Sequence, residues 1–307
     1  MTRDVIEFAN DFYQSISTPL ANRRTINMYR QVPDGPALSS AALIGSPGII
    51  SFLSMTDLQC RGLFATKKRG FAVYDEELYE VFEGKTKTAR GTISGEDPVR
   101  FASNGETMVI ISDAKGYFYD LNADTLVEIT DAVFSSLGTV LDVTYKDGFF
   151  VYITEEFIFN GSVLTTNDGK DFDALSFAAA ETQPDGNVAC HNSSNQLYIL
   201  GANTIEIFET VGGTGFPFSR IRGATIQKGC FAKNSVIDFK GFMTFLGGDD
   251  GEAPTLYLVH GSNHEQISTA ALENYMQGLT LAQIEAAVCW TYQQGGSDFL
   301  VLDIGSG

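Results

Sequence analysis

His260 and His264 stand four residues apart, a spacing that on one helix face would offer two imidazoles to a metal. They lie in LVHGSNHEQ, which reads as a strand, a turn and a second strand, so a metal pair is not expected. His191 is the third and last histidine, which leaves little material for acid–base or triad chemistry. The cysteines Cys60, Cys190, Cys230 and Cys289 are nowhere closer than 40 residues, so metal or redox CxxC spacing is absent. Free, buried thiols in a reducing cytoplasm are the expectation.

Paired carboxylates would serve glycan chemistry, and Asp142, Glu206 and Asp238 are the residues that would have to converge for it. Arg61, Arg69, Arg90, Arg100, Arg220 and Arg222 supply material for an anion cluster, but their spacing favours none. GGTGF (212–216) runs into Pro217 and strand-like residues rather than a helix, so it is not a phosphate loop. GGDDGE (247–252) reads as a solvated hairpin tip. No catalytic, cofactor-binding or metal residue is assigned, no cofactor is called for, and no enzyme is expected.

The elements that must position these groups are short strands. From about residue 58 the chain alternates β runs with turns: CRGLFAT, GFAVYD and ELYEVFE, then VRFASNG, TMVIISD, GYFYDL and TLVEIT, then VLDVTYKDG, FFVYITE and EFIFNG. Two further units follow over 186–210 and 228–269. Starts near 59, 99, 140, 187 and 229 give a period of about 40 to 47 with three or four strands per unit. That period points to a β-propeller rather than a long β-sandwich. The reading is all-β: about five blades plus a partial sixth. STAALENYMQGL (268–279) is the one substantial helix, with Ser268 or Thr269 as N-cap and Gly278 at its end. TLAQIEAAV (280–288) either continues it or opens the sixth unit. Residues 1–50, broken by Pro19, Pro33, Pro36 and Pro47, read as an extended arm, and 51–307 as the propeller domain.

TTNDGKDF (165–172) looks like the Asp-box of propeller hairpins, with Thr165, Asn167 and Gly169 closing a turn over a buried Phe172. Asp168 and Asp171 lack the ligand alternation and bidentate Glu of a calcium loop. The likeness to sialidase-type propellers ends with that box.

The net charge is −18. Residues 1–35 balance Arg3, Arg23, Arg24 and Arg30 against Asp4, Glu7, Asp11 and Asp34, so the acidic excess lies beyond them. Proteins that grip nucleic acid neutralise phosphates with Lys and Arg, so tight DNA binding is not expected. The excess serves solubility, or a conduit wall along which DNA slides without adhering. Met1 to Phe12 lacks the form of a signal peptide, no apolar run approaches the ~18 residues of a membrane span, and no membrane association is expected.

Several long segments, in order, resemble the packaged-DNA stabilisation proteins of short-tailed bacteriophages, tail accessory factors that form the tail hub. They are LSFAAAETQPDG (175–186), LYILGANTIEIFE (197–209), GFPFSRIRGATIQKGCFAKNSV (215–236), FLGGDDGEAPTLYLVHGSNHEQISTAALE (245–273) and WTYQQGGSDFLVL (290–302). RRTINMYRQ (23–31) and GSPGII (45–50) are similar to the family's amino-terminal segment. The resemblance implies a propeller-like subunit of a hexameric hub, made in the host bacterial cytoplasm and built into the virion tail. Its implied partners are the portal and adaptor rings, the tail needle and the tailspikes, and its implied role is retention of packaged DNA. It brings no catalytic residues. Family members continue past DFLVLDI with strands that complete the ring, so the carboxy-terminus here reads as truncated. Two other readings remain: a propeller hydrolase or lyase acting on surface glycans, and a general propeller interaction module.

Overall fold

The computed structural model describes residues 26–31, 41–46, 48–55, 58–113, 115–160, 172–179, 185–212, 215–249 and 251–304. The chain divides into two compact units, 1–52 with 268–279, and 53–267 with 280–307. In the first unit, Met28–Gln31 pairs antiparallel with Ala42–Gly45, a hairpin not read from the sequence. The same unit holds the helix Ala270–Gln277. The Thr269 hydroxyl accepts from Leu272 N, and the Gly278 N–H closes its last turn on Tyr275 and Met276.

The second unit is a succession of antiparallel sheets. Blade one holds Cys60–Thr66, Arg69–Tyr74, Glu77–Phe82 and Thr86–Thr92. Blade two holds Arg100–Ser103, Thr107–Ser112, Lys115–Asp120 and Thr125–Glu128. Blade three holds Asp142–Lys146, Phe149–Ile153, Phe157–Asn160 and Phe177–Ala179. Blade four holds Asn187–Ser193, Gln196–Gly201, Ile205–Thr210 and Phe218–Arg220. Blade five has five strands because the turn Lys233–Ser235 splits its first into Gly229–Cys230 and Ile237–Phe239. Both halves pair with Phe242–Gly248, followed by Thr255–His260 and Asn263–Gln266. A two-stranded sheet, Val288–Gln294 with Ser297–Asp303, comes last. Leu281–Glu285 is a separate helix with its own Thr280 capping box rather than a continuation of the preceding one.

Local chemistry explains the strands. TMVIIS and FFVYI are buried along their whole length, because a continuous apolar run bounded by turns suits a strand covered on both faces. Hairpin tips at Lys67–Lys68, Asp147–Gly148, Ser194–Asn195 and Lys240–Gly241 have positive φ at both central residues. That is the turn whose twist matches the flanking strands. Successive side chains then fill opposite gaps. Met108 and Ile110 pack with Phe71, Val73 and Leu78 of blade one, whereas Val109 and Ile111 pack with Val143, Phe150 and Tyr152 of blade three. Phe149, Val151 and Ile153 meet Leu197, Ile199 and Phe208 of blade four. Tyr198, Leu200 and Ile207 meet Met243, Phe245 and Tyr257 of blade five.

Of the Asp-box, Thr165, Asn167, Asp168, Gly169 and Asp171 lie outside the described residues. Phe172 is half-buried, its ring 5.1 Å from both Phe134 and Tyr152.

Candidate functional site

The first strands of blades one to four touch their neighbours in order. Those of blades two and three open on charged residues, Arg100 and Asp142. Arg100, first in blade two, places Nε 2.7 Å from Asp142 Oδ1 and Nη2 3.1 Å from Oδ2, a bidentate pair with the first residue of blade three. Asp142 is fully buried and also accepts from Val143 N (2.8 Å) and from Cys190 N of blade four (3.0 Å). Arg100 Nη1 donates to Asn234 Oδ1 in the split strand of blade five, at 3.0 Å across 134 residues of sequence. One ion pair therefore ties together four blades. Desolvation pulls the Arg100 guanidinium down, but the Asp142 charge and hydrogen bond outweigh it, so the group is held above its ordinary value.

Cys190, Cys230 and Cys289 are buried on the first strands of blades four and five and of the last sheet. Burial pushes the Cys190 thiol well up and those of Cys230 and Cys289 up to about 12, so none is a ready nucleophile. Cys60 departs from the expectation of buried thiols: it is exposed at the edge of blade one, where a bulge follows it.

Two more arginine sites join blades one and two. Arg61, 4% exposed, donates to carbonyl oxygens of Asp97 (2.8 Å), Asp75 (2.9 Å) and Ile93 (3.0 Å) and to Ser112 Oγ (2.5 Å). Arg69 forks onto Glu80 at 2.6 and 2.7 Å and reaches Asp124 at 2.6 Å. Arg90 binds the same Glu80 and, at 3.2 Å, Asp124. The Arg69 hydrogen bonds hold both carboxyls below their ordinary values, against the opposing effect of burial. Burial and the Asp124 hydrogen bond push the Tyr119 phenol up to about 12.

A group whose folded pKa is depressed stabilises the fold above its unfolded value and stops doing so as pH falls. Unfolding temperature is therefore expected to drop as pH is lowered below about 4.5, where Asp and Glu of the unfolded chain titrate. Glu80→Gln should be less stable at neutral pH and show a shallower acid slope. Equal acid slopes in calorimetry would remove this network from the account.

The three carboxylates considered for glycan chemistry have separate partners. Asp142 is bound by Arg100, Glu206 lies 3.5 Å from Arg220, and Asp238 is 3.2 Å from His191 Nε2 and 2.6 Å from Ser193 Oγ. His260 ends one strand and His264 lies in the next, as the segment LVHGSNHEQ suggested. Glu252 of the acidic hairpin tip pairs with Lys228 at 2.5 Å. Among the described residues, no three His, Cys, Asp or Glu side chains are grouped as a metal site. An open cleft of about 800 Å³ lies between the Phe239–Gly241 turn and Tyr292, Gln293 and Asp298 of the last sheet. Among the described residues no helix is long and apolar enough to cross a membrane.

The signal for the inter-blade ties lay in the repeat. Arg61, Arg100 and Asp142 fall within two residues of unit starts near 59, 99 and 140, at the opening of the first strand in three units. Sequence reasoning named all three but did not pair them.

Sheet succession, first-strand contacts and structural charges define a β-propeller whose polar side chains lock one blade to another. The chain belongs to the family described as "Bacteriophage P22 Gp10, beta-propeller", which matches residues 12–306. It is 22% identical over 273 residues to the tail hub protein gp10 of Salmonella phage P22. That alignment covers 87% of this chain and 57% of the relative, so the chain spans little more than half the relative's length. Among solved structures, a B. thetaiotaomicron putative hybrid two-component system extracellular domain matches at TM-score 0.47 and 11% identity, over 69% of this chain and 28% of that one. A chain of the mitotic checkpoint complex matches at the same score and identity, over 76% and 69%.

Proposed function

We propose that this chain is a structural component of a short-tailed phage virion, not an enzyme. It serves in a tail hub that helps close the portal channel, retains packaged DNA and connects adaptor rings to needle and spikes. The family match across 12–306 carries the reading. The separate pairing of Asp142, Glu206 and Asp238 supports it over glycan hydrolysis. In this reading residues 51–307 form the propeller, copies assemble with one another as a hexamer, and the arm, residues 1–50, lies against a neighbouring subunit or ring. The arm's charge balance beside an acidic body supports that placement, since Arg23, Arg24 and Arg30 can meet carboxylates there.

Antibody labelling of purified virions by electron microscopy tests the assignment. Label is expected at the tail, and particles made without the gene product should lose their DNA. Unlabelled virions, or infectious particles without the protein, would overturn it.

DNA retention in this scheme comes from plugging a channel rather than from adhesion. With a charge of −18, duplex DNA should bind no more tightly than about 10⁻⁶ M at ~150 mM salt, the upper range of non-specific binders. Sub-micromolar affinity by fluorescence anisotropy would contradict the plugging scheme.

A further inference from the structure

Lys146 is the one buried lysine among the described residues, its side chain 2% exposed. It ends the first strand of blade three, beside the Asp147–Gly148 tip. A buried ammonium needs partners, and two oxygens supply them. Lys146 Nζ lies 3.0 Å from Asp147 Oδ2 and donates to Asn195 Oδ1 at 3.2 Å. Asn195 belongs to the Ser194–Asn195 tip of blade four, so the contact spans two blades. Two further bonds hold the blades together here. Asn192 Nδ2 donates to the Tyr145 carbonyl at 2.9 Å, and the Thr210 hydroxyl of blade four donates to Asp147 Oδ2 at 2.5 Å.

An amine, a carboxamide and a carboxylate side by side are the material for an amide bond between side chains. Lys115 and Lys228, by contrast, face the carboxylates of Glu128 and Glu252, and their side chains are 46% and 15% exposed. An ammonium is no nucleophile until a base takes its proton, and at Lys146 the base is in contact. The Thr210 and Lys146 hydrogen bonds hold the Asp147 carboxyl below its ordinary value, so at neutral pH it is ionised and able to accept a proton.

We propose that Lys146 and Asn195 condense to an isopeptide bond that joins blade three to blade four covalently. Asp147 takes one proton from the Lys146 ammonium. The freed amine attacks Asn195 Cγ, and the Nζ–Cγ bond forms. Asp147 passes that proton to Nδ2, the Cγ–Nδ2 bond breaks, and a second proton follows from Nζ by the same path. Nδ2 leaves with its own two hydrogens and two from Nζ, as ammonium. Nothing is oxidised or reduced. Attack requires Asn195 to turn Cγ toward Nζ, and its terminal torsion is a broad one. Asn195 is exposed, which leaves the ammonium a way out. The step occurs once per chain, so a slow rate suffices. The bond braces the propeller from within, and it stands or falls separately from the virion assignment.

The mass of the intact chain, purified folded and weighed denatured, reads the bond directly. The parent is expected to weigh about 17 Da less than its sequence, the mass of the ammonia lost. Digestion should yield one branched peptide joining Lys146 to Asn195. Asn195→Gly keeps a residue suited to the turn's positive φ and removes the carboxamide, and Lys146→Met removes the amine and keeps the bulk. Both should show the full sequence mass. Asp147→Asn should join at least about 100-fold more slowly, the contribution of a positioned acid–base group. Circular dichroism checks that each chain compared is folded. A folded parent that keeps its full sequence mass after prolonged incubation at neutral pH overturns the proposal. So does a mass loss that survives Asn195→Gly, or an Asp147→Asn chain that joins as fast as the parent.

Discussion

Arg100→Met is expected to lower folding stability by about 3–5 kcal/mol, the range for removing one partner of a buried pair. Asp142 is fully buried, and without Arg100 its charge keeps only the amides of Val143 and Cys190. The variant also loses the tie to Asn234. Urea unfolding followed by circular dichroism would show a lower midpoint with a similar slope. The pair Arg100→Met with Asp142→Leu should recover much of the loss, because uncharged residues of similar bulk leave no stranded charge. A single variant within about 0.5 kcal/mol of the parent, the effect of an ordinary surface change, would mean that the tie contributes nothing.

The second large effect involves no side chain. A Cβ built on Gly229 would lie 1.7 Å from the Ala202 carbonyl oxygen, and one on Gly247 would lie 1.9 Å from the Gly229 oxygen. Here the turn after Gln196–Gly201 in blade four lies directly on the backbone of blade five. Backbone cannot rotate away as a side chain can. Gly229→Ala should therefore cost at least about 3 kcal/mol, the upper end for overpacking, and produce little soluble protein. Gly70→Ala is the comparison, since its nearest neighbour would be the Val81 oxygen at 3.4 Å, an ordinary contact. It should stay within about 1 kcal/mol of the parent. Similar melting temperatures for the two variants would rule out the close approach.

The blade pattern was legible because two local signals agree along the chain. Apolar runs such as TMVIIS announce buried strands, and turns such as Asp147–Gly148 announce where they reverse. Strands found from Cys60, Arg100, Asp142, Asn187 and Gly229 match unit starts expected near 59, 99, 140, 187 and 229. The outer strands Phe177–Ala179 and Phe218–Arg220 were missed, because three residues are too few to show alternation. The helix Ala132–Ser136 was missed as well. Its one strong local signal is Asp131, whose carboxylate caps Val133 and Phe134. The Arg69–Glu80–Asp124 network was not legible, since strand register within blade one brings Arg69 to Glu80 and the packing of blade two brings Asp124 to both, neither of which sequence spacing shows.

A row of sheets in which each touches only its neighbours should come apart from its ends, like any linear array. The Arg100–Asn234 bond limits that freedom for the inner sheets, because it ties blade two to blade five without passing through blades three and four. Amide protons of those two sheets are thus bound to one opening event. In native-state hydrogen exchange they should share a single protection level, and cutting the tie should split it in two.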